Sequence, residues 1–141
     1  MTKDVLISIS GHQFEVDDKE AIEVVTPGNY YFKNNKHYIL YDEYIDDSEL
    51  EKTKNKLVIS DNMISLSKSG PASVNMLFEP GKDTVTCYNT PFGSLMIGLS
   101  NSQINTNHSE DLIDININYD LIINYYNVSN CSISMKVTPK G

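Results

Sequence analysis

Tyr41 and Glu43 stand two residues apart in a stretch of aromatic and β-branched residues. On an extended strand their side chains share one face. A phenol beside a carboxylate can orient one end of a small molecule by hydrogen bonding. If Glu43 titrates near neutrality, it can instead act as a general base with Tyr41 or Tyr88 assisting. Inside a low-dielectric barrel Glu43 requires a counter-charge, and Lys68 is the candidate. Tyr88 and Tyr119 can bring hydroxyls to the same region, which would make a polar patch in a barrel mouth or lumen. The plainer alternative is a satisfied structural cluster, or a Glu43 that faces water, as polar groups on strands usually do.

Other chemistries find less support. Tyr88-Asn89-Thr90-Pro91-Phe92-Gly93 reads either as a ligand-gating corner or as a turn. In the turn reading Pro91 sets φ, Gly93 permits an unusual one, and Phe92 plugs a barrel end. Nine tyrosines, five of them between Tyr30 and Tyr44, suggest a stacking platform for bases or sugars, but no basic groove is visible beside them. The acidic run Asp42, Glu43, Asp46, Asp47, Glu49 and Glu51 lacks the glycine-centred spacing of a calcium loop and reads as a solvated hairpin end. His12, His37 and His108 show no metal-type spacing. Cys87 has no activating base in view, and neither a glycine-rich phosphate loop nor a serine nucleophile elbow is present. No catalytic residue, metal or cofactor is assigned.

Composition narrows the classes further. The 141 residues fit one domain, residues 1–141, able to bury roughly 68% of its unfolded surface. Net charge is −8 and all eleven cations are Lys. That balance disfavours nucleic acid and anionic membranes, and it removes the residue best suited to forked capture of phosphate or carboxylate. The apolar segment Val5 to Ile9 is too short for a leader, and no run reaches spanning length, so a cytoplasmic protein without a membrane partner is expected. Cys87 and Cys131 then read as two buried thiols in a reducing compartment. The Asn-x-Ser triplets at Asn107, Asn127 and Asn130 read as coincidences among fifteen asparagines.

The elements that must position these residues are strands. From Ile113 to Tyr125 every odd position is apolar or aromatic, and every even one except Ile122 is Asp or Asn. This is the signature of a strand with one buried and one wet face. Fully extended it would reach about 43 Å, so a compact domain must coil or bulge it. Tyr30 to Lys33 and Lys36 to Tyr41 make a hairpin around Asn34-Asn35, a pair that tolerates positive φ. Further strands are expected at Val5 to Ile9, reaching toward Phe14, and at Ala21 to Val25 with a kink at Pro27-Gly28. Others are marked by Leu57 with Ile59, Ile64 with Leu66, and Val74 to Phe78. The apolar positions Val85 with Cys87 and Leu95 to Leu99 mark two more. Asp17 to Lys19, Asp61-Asn62 and Glu79-Pro80-Gly81-Lys82 read as turns. The acidic piece Asp42 to Glu51 closes the hairpin arm, Ser100 to Glu110 reads as the longest loop, and Asn127 to Asn130 turns the chain into a last strand through Val137. About ten short strands without a helix predict an all-β, antiparallel sandwich or barrel, and the long hairpin favours the barrel, which removes sheet edges.

Several of these residues resemble a known family. Gly28-Asn29-Tyr30-Tyr31, the arm ending Tyr41-Asp42-Glu43, Lys68-Ser69-Gly70, Phe78 before a Pro-Gly turn, the Tyr-Asn-Thr-Pro-Phe-Gly turn and Ile117-Asn118-Tyr119 occur in this order in the YwiB-like family, a domain of unknown function called DUF1934. The resemblance spans about Val5 to Val137. It implies a calycin-like, lipocalin-like β-barrel in small bacterial cytoplasmic proteins, and no established activity. The family tends to carry Arg at the position of Lys68, whose ammonium replaces the charge but not the forked geometry.

The function expected first is therefore a cytosolic binding module for a small apolar or amphipathic ligand. Its candidate ligand-binding residues are Tyr41, Glu43, Lys68, Phe78, Tyr88, Thr90, Phe92 and Tyr119. The alternatives are a protein-interaction or homodimer-forming domain with a packed barrel, and an enzyme using Glu43 as general base. An open lumen favours binding, and a filled one with an exposed apolar patch favours interaction.

Overall fold

The computed structural model describes residues 3–11, 24–45, 48–124 and 126–140. Ten strands make up one antiparallel sheet: β1 (Asp4–Gly11), β2 (Val24–Lys33), β3 (Lys36–Ile45), β4 (Ser48–Ser60), β5 (Met63–Ser69), β6 (Val74–Phe78), β7 (Thr84–Thr90), β8 (Gly93–Ser109), β9 (Leu112–Ile123) and β10 (Tyr126–Pro139). Their order is β6-β5-β4-β3-β2-β1-β10-β9-β8-β7. The sheet curls until its two edges meet. Ser73 and Asn89 exchange backbone hydrogen bonds of 2.8 and 2.9 Å across that seam, and Thr84 Oγ1 donates to the Leu77 carbonyl at 2.7 Å. The result is a nearly closed barrel with no helix among the described residues.

Local chemistry accounts for the turns. Asn34 and Asn35 have φ of 54° and 61°, the left-handed pair that a two-residue hairpin between right-twisted strands demands. Pro80 and Gly81 form the corner after β6, where Gly81 has φ of 82° and the Lys82 amide donates to the Glu79 carbonyl at 3.1 Å. Along β9, Ile113, Ile115, Ile117, Tyr119 and Leu121 are all buried while the residues between them reach solvent.

Four expectations are corrected. Ser100 to Glu110 is not a loop, because β8 runs to Ser109 and pairs with β9 down to Leu112. Its polar residues gave no alternation, and pairing with the strongly patterned β9 decides its conformation. β4 likewise extends through the Glu49 to Asn55 stretch, paired to β3 at Ser48 and from Lys52 onward, with an irregularity between, and to β5 from Lys54 onward. The turn expected at Asn127 to Asn130 instead falls at Asn124, whose φ is 50°, and the chain bulges between Asn127 and Ser129. On β7 the faces are reversed: Val85 and Cys87 are exposed, whereas Thr86 and Tyr88 pair with Ile97 and Leu95. Cys87 is therefore an exposed thiol, and Cys131 alone is buried. Asp17 to Lys19, His12, Phe14 and Ala21 to Glu23 lie outside the described residues, as do Asp46 and Asp47.

The inward positions are filled. Ile7, Ile39, Leu57, Ile64, Leu66, Met76, Phe78, Ile115, Tyr119 and Leu121, drawn from six strands, are each about fully buried in one core. Phe78 and Tyr119 meet with ring centroids 4.9 Å apart at 56°, a tilted contact favoured by the ring quadrupoles. Packing side chains, rather than a channel, occupy the body of this barrel.

Candidate functional site

Directly opposed residues of an antiparallel pair point to the same face, so the register identifies what shares the barrel interior. One such row reads Gly28–Tyr41–Asn55–Lys68–Val74 across β2 to β6. Tyr41 is 4% and Asn55 2% exposed. Gly28 is required here: a Cβ would lie 2.5 Å from Ile7 Cδ1 and 2.7 Å from the Leu40 carbonyl oxygen. Two residues further along β3, Glu43 faces the same way beside Thr53 of β4 and reaches the rim.

At this rim Lys68 Nζ donates to Glu43 Oε1 at 2.6 Å. The lysine side chain is only 12% exposed and the glutamate 41%, so the pair is an ammonium sunk into the barrel and held by a carboxylate at the water's edge. A charge-assisted bond of this length is among the stronger kinds. Beneath it two polar atoms have no hydrogen-bond partner among the described residues: the Tyr41 hydroxyl and Asn55 Oδ1. The other end of the Asn55 amide donates to the Thr53 carbonyl at 3.3 Å. Burial, and secondarily the Glu43 charge, push the Tyr41 phenol well above its ordinary pKa, so Tyr41 remains a neutral hydrogen-bonding group. Glu43 is engaged as a counter-ion, an arrangement that suits holding a polar group better than abstracting a proton.

The structure thus brings Tyr41, Glu43 and Lys68 together and adds Asn55, which the sequence reading missed. Its parity with Leu57 and Ile59 on one strand was the available signal. Tyr88, half-buried against the core, falls opposite Val74 in the register set by the Ser73–Asn89 bridge. The remaining candidates lie elsewhere. Phe78 and Tyr119 are core residues, and burial raises the Tyr119 phenol. Thr90 is spent on its turn, its hydroxyl donating to the Gly93 carbonyl at 2.8 Å and accepting from the Phe92 amide at 3.1 Å. Phe92 plugs nothing, being 99% exposed at the hairpin tip. The two-residue turn projects it away from the barrel. Among the described residues no group of three or more His, Cys, Asp or Glu could hold a metal, and no helix is long and apolar enough to cross a membrane.

A second cluster lies toward the β2–β3 hairpin, at the other end of β3 from Glu43. His37 on β3 and His108 on β8 meet with ring centroids 4.6 Å apart, Phe32 lies 4.9 Å from His37, and the Tyr30 hydroxyl shares a 2.8 Å hydrogen bond with His37 Nδ1. Burial, then the His108 charge, lower the His37 pKa. The unfolded chain therefore binds more protons than the folded one below the ordinary histidine range, and this contribution is present above about pH 6.5 and lost as pH falls. Thermal denaturation should show a lower Tm at about pH 5 than at about pH 7.5, with the difference reduced in His37→Phe.

Comparison with known proteins agrees with this architecture. The model of DUF1934, a domain of unknown function, matches residues 7–135. The uncharacterized β-barrel protein YwiB of Bacillus subtilis (strain 168) is 32% identical over 104 residues, 74% of this chain and 71% of that protein. The crystal structure of B. subtilis YwiB superimposes with a TM-score of 0.76 at 26% identity, covering 98% of this chain and 91% of that one. With the family model spanning most of the chain and the barrel shared with a solved relative, the chain belongs to the DUF1934 family of β-barrel proteins.

Proposed function

We propose that this chain is a cytoplasmic barrel that binds a small molecule with a polar head at the rim formed by Tyr41, Glu43, Asn55 and Lys68. One observation carries the reading. Two hydrogen-bonding atoms, the Tyr41 hydroxyl and Asn55 Oδ1, are buried without a partner among the described residues, beside the Lys68–Glu43 pair. Leaving such groups unpaired costs about 1–3 kcal/mol each, so strands that keep them there favour an occupant that pairs them. The head must accept from the Tyr41 hydroxyl and donate to Asn55, as a hydroxyl, amide or protonated acid does. Any apolar part must be short and lie near Val74 and Tyr88, because the positions below are filled by Ile39, Leu57, Leu66 and Met76. The exposed thiol of Cys87 fits a reducing compartment.

Native mass spectrometry of protein purified without detergent tests this. Wild type should carry a reproducible extra mass that is lost on denaturation, and Lys68→Met should lack it. Glu43 tolerates losing its partner at the rim, so the variant should still fold. A bare monomer from wild type would refute the proposal. The packed interior and the exposed Phe92, Leu95 and Val85 favour a second reading, a homodimerising structural domain, which the same spectrum would reveal as a bare dimer.

A further inference from the structure

On the outer side of the same strands lies a feature that the rim site does not use. Lys52, Lys54 and Lys56 alternate along β4 and all point outward, exposed. They line a groove of about 580 Å³ with Asn29, Ser67 and Ser69. Tyr41 and Asn55 also border it, although by the period-2 rule their side chains lie on the inner face of the sheet. Three of the eleven cations of a −8 chain are thus gathered on one strand face. Lysines commonly guard exposed sheet edges against pairing, but at Lys54 and Lys56 β4 is paired on both sides, to β3 and β5, and has no edge to guard. Neutralisation within the groove is slight. Asp42 lies 3.8 Å from Lys52, both partly exposed, and Lys54 and Lys56 have no ion pair among the described residues. Lys56 sits 5.5 Å over the Tyr38 ring, and Tyr38 stacks on Tyr31 with centroids 4.7 Å and planes 5° apart.

The geometry points to an anion site, and we infer that this groove binds a small molecule carrying two or more linked phosphates; Tyr38 is covered by Lys56 and by Tyr31, so the 41% exposed ring of Tyr31, beside the groove, is the surface left for an attached aromatic ring. Lys52 and Lys56 are about 13 Å apart along the strand, a span that suits linked phosphates better than one isolated anion. Ammonium groups bind phosphate as point charges, and the Ser69 hydroxyl can donate to a remaining oxygen, whereas Ser67 already donates to Asn75 Oδ1 at 3.1 Å. Stacking on an aromatic face adds affinity without sequence-like readout of the base. This basic groove is the element that a stacking role for the tyrosines lacked in the sequence.

Titration calorimetry at low salt with pyrophosphate, ADP and citrate tests the inference. Pyrophosphate and ADP should bind, and Lys54→Met/Lys56→Met should weaken both by about tenfold, the loss expected from two exposed charge contacts. ADP should bind more tightly than pyrophosphate, and Tyr31→Ala should remove that margin while leaving pyrophosphate unchanged. These lysines are exposed, so circular dichroism should show the double variant folded. No heat with either phosphate, an unchanged affinity in the folded double variant, or citrate binding as tightly as pyrophosphate would each overturn the assignment. Equal affinities for ADP and pyrophosphate would overturn the aromatic platform. The rim variant Lys68→Met should leave pyrophosphate binding intact, which keeps the two sites distinguishable.

Discussion

Phe78→Ala should lower the unfolding free energy by about 3–5 kcal/mol in chemical denaturation, a large share of what a domain of this size possesses. The reason is position. Phe78 ends β6 with no exposed surface, its ring lies against Tyr119, and both project into the middle of the barrel. Removing the ring deletes apolar burial and leaves a cavity walled by strands held in the sheet ladder, so collapse around it is limited. Phe78→Leu, which keeps most of the volume, should cost less than about 1.5 kcal/mol. A truncation cost below about 1 kcal/mol would mean that the interior is loosely filled, and the argument for a rim-restricted ligand would lose its basis.

Gly28→Ala should destabilise by about 1–3 kcal/mol despite adding a single methyl group. Gly28 is not a turn residue; it lies inside β2, paired with Val5 on one side and Tyr41 on the other. An added Cβ would press on Ile7 Cδ1 at 2.5 Å, which can rotate, and on the Leu40 carbonyl oxygen at 2.7 Å, which belongs to the sheet ladder and cannot. Relief must therefore come from separating β2 and β3 next to Tyr41. The variant should show both a lower denaturation midpoint and a disturbed Tyr41 environment in tyrosine fluorescence. An alanine tolerated without loss would show that the strands are not as close at this point as described.

These two positions illustrate what could be read from the chain and what could not. Ile113 to Leu121 announced β9 and its buried face because each side chain there obeys a single rule, apolar inward and Asp or Asn outward. Asn34-Asn35 and Pro80-Gly81 announced their turns because few residues accept those backbone angles. The misread segments are polar on both faces. β4 between Ser48 and Asn55, and β8 beyond Ser100, are strands only because neighbours pair with them, and pairing over such distances leaves no local trace. The same blindness hid Asn55, which sits among lysines in the sequence and becomes buried only when β3 and β5 close on either side. Tyr41, Glu43 and Lys68 were legible because a carboxylate on a strand's inner face needs a cation. Phe92 was misjudged since a turn motif fixes the chain's path but not which way its tip projects.

If a bound molecule pairs the Tyr41 hydroxyl and Asn55 Oδ1, a high-resolution crystal structure of protein purified without detergent should show a non-water head group within about 3.2 Å of both atoms. Density explained by ordered water alone at both atoms would contradict that pairing and leave the row as a structural polar cluster.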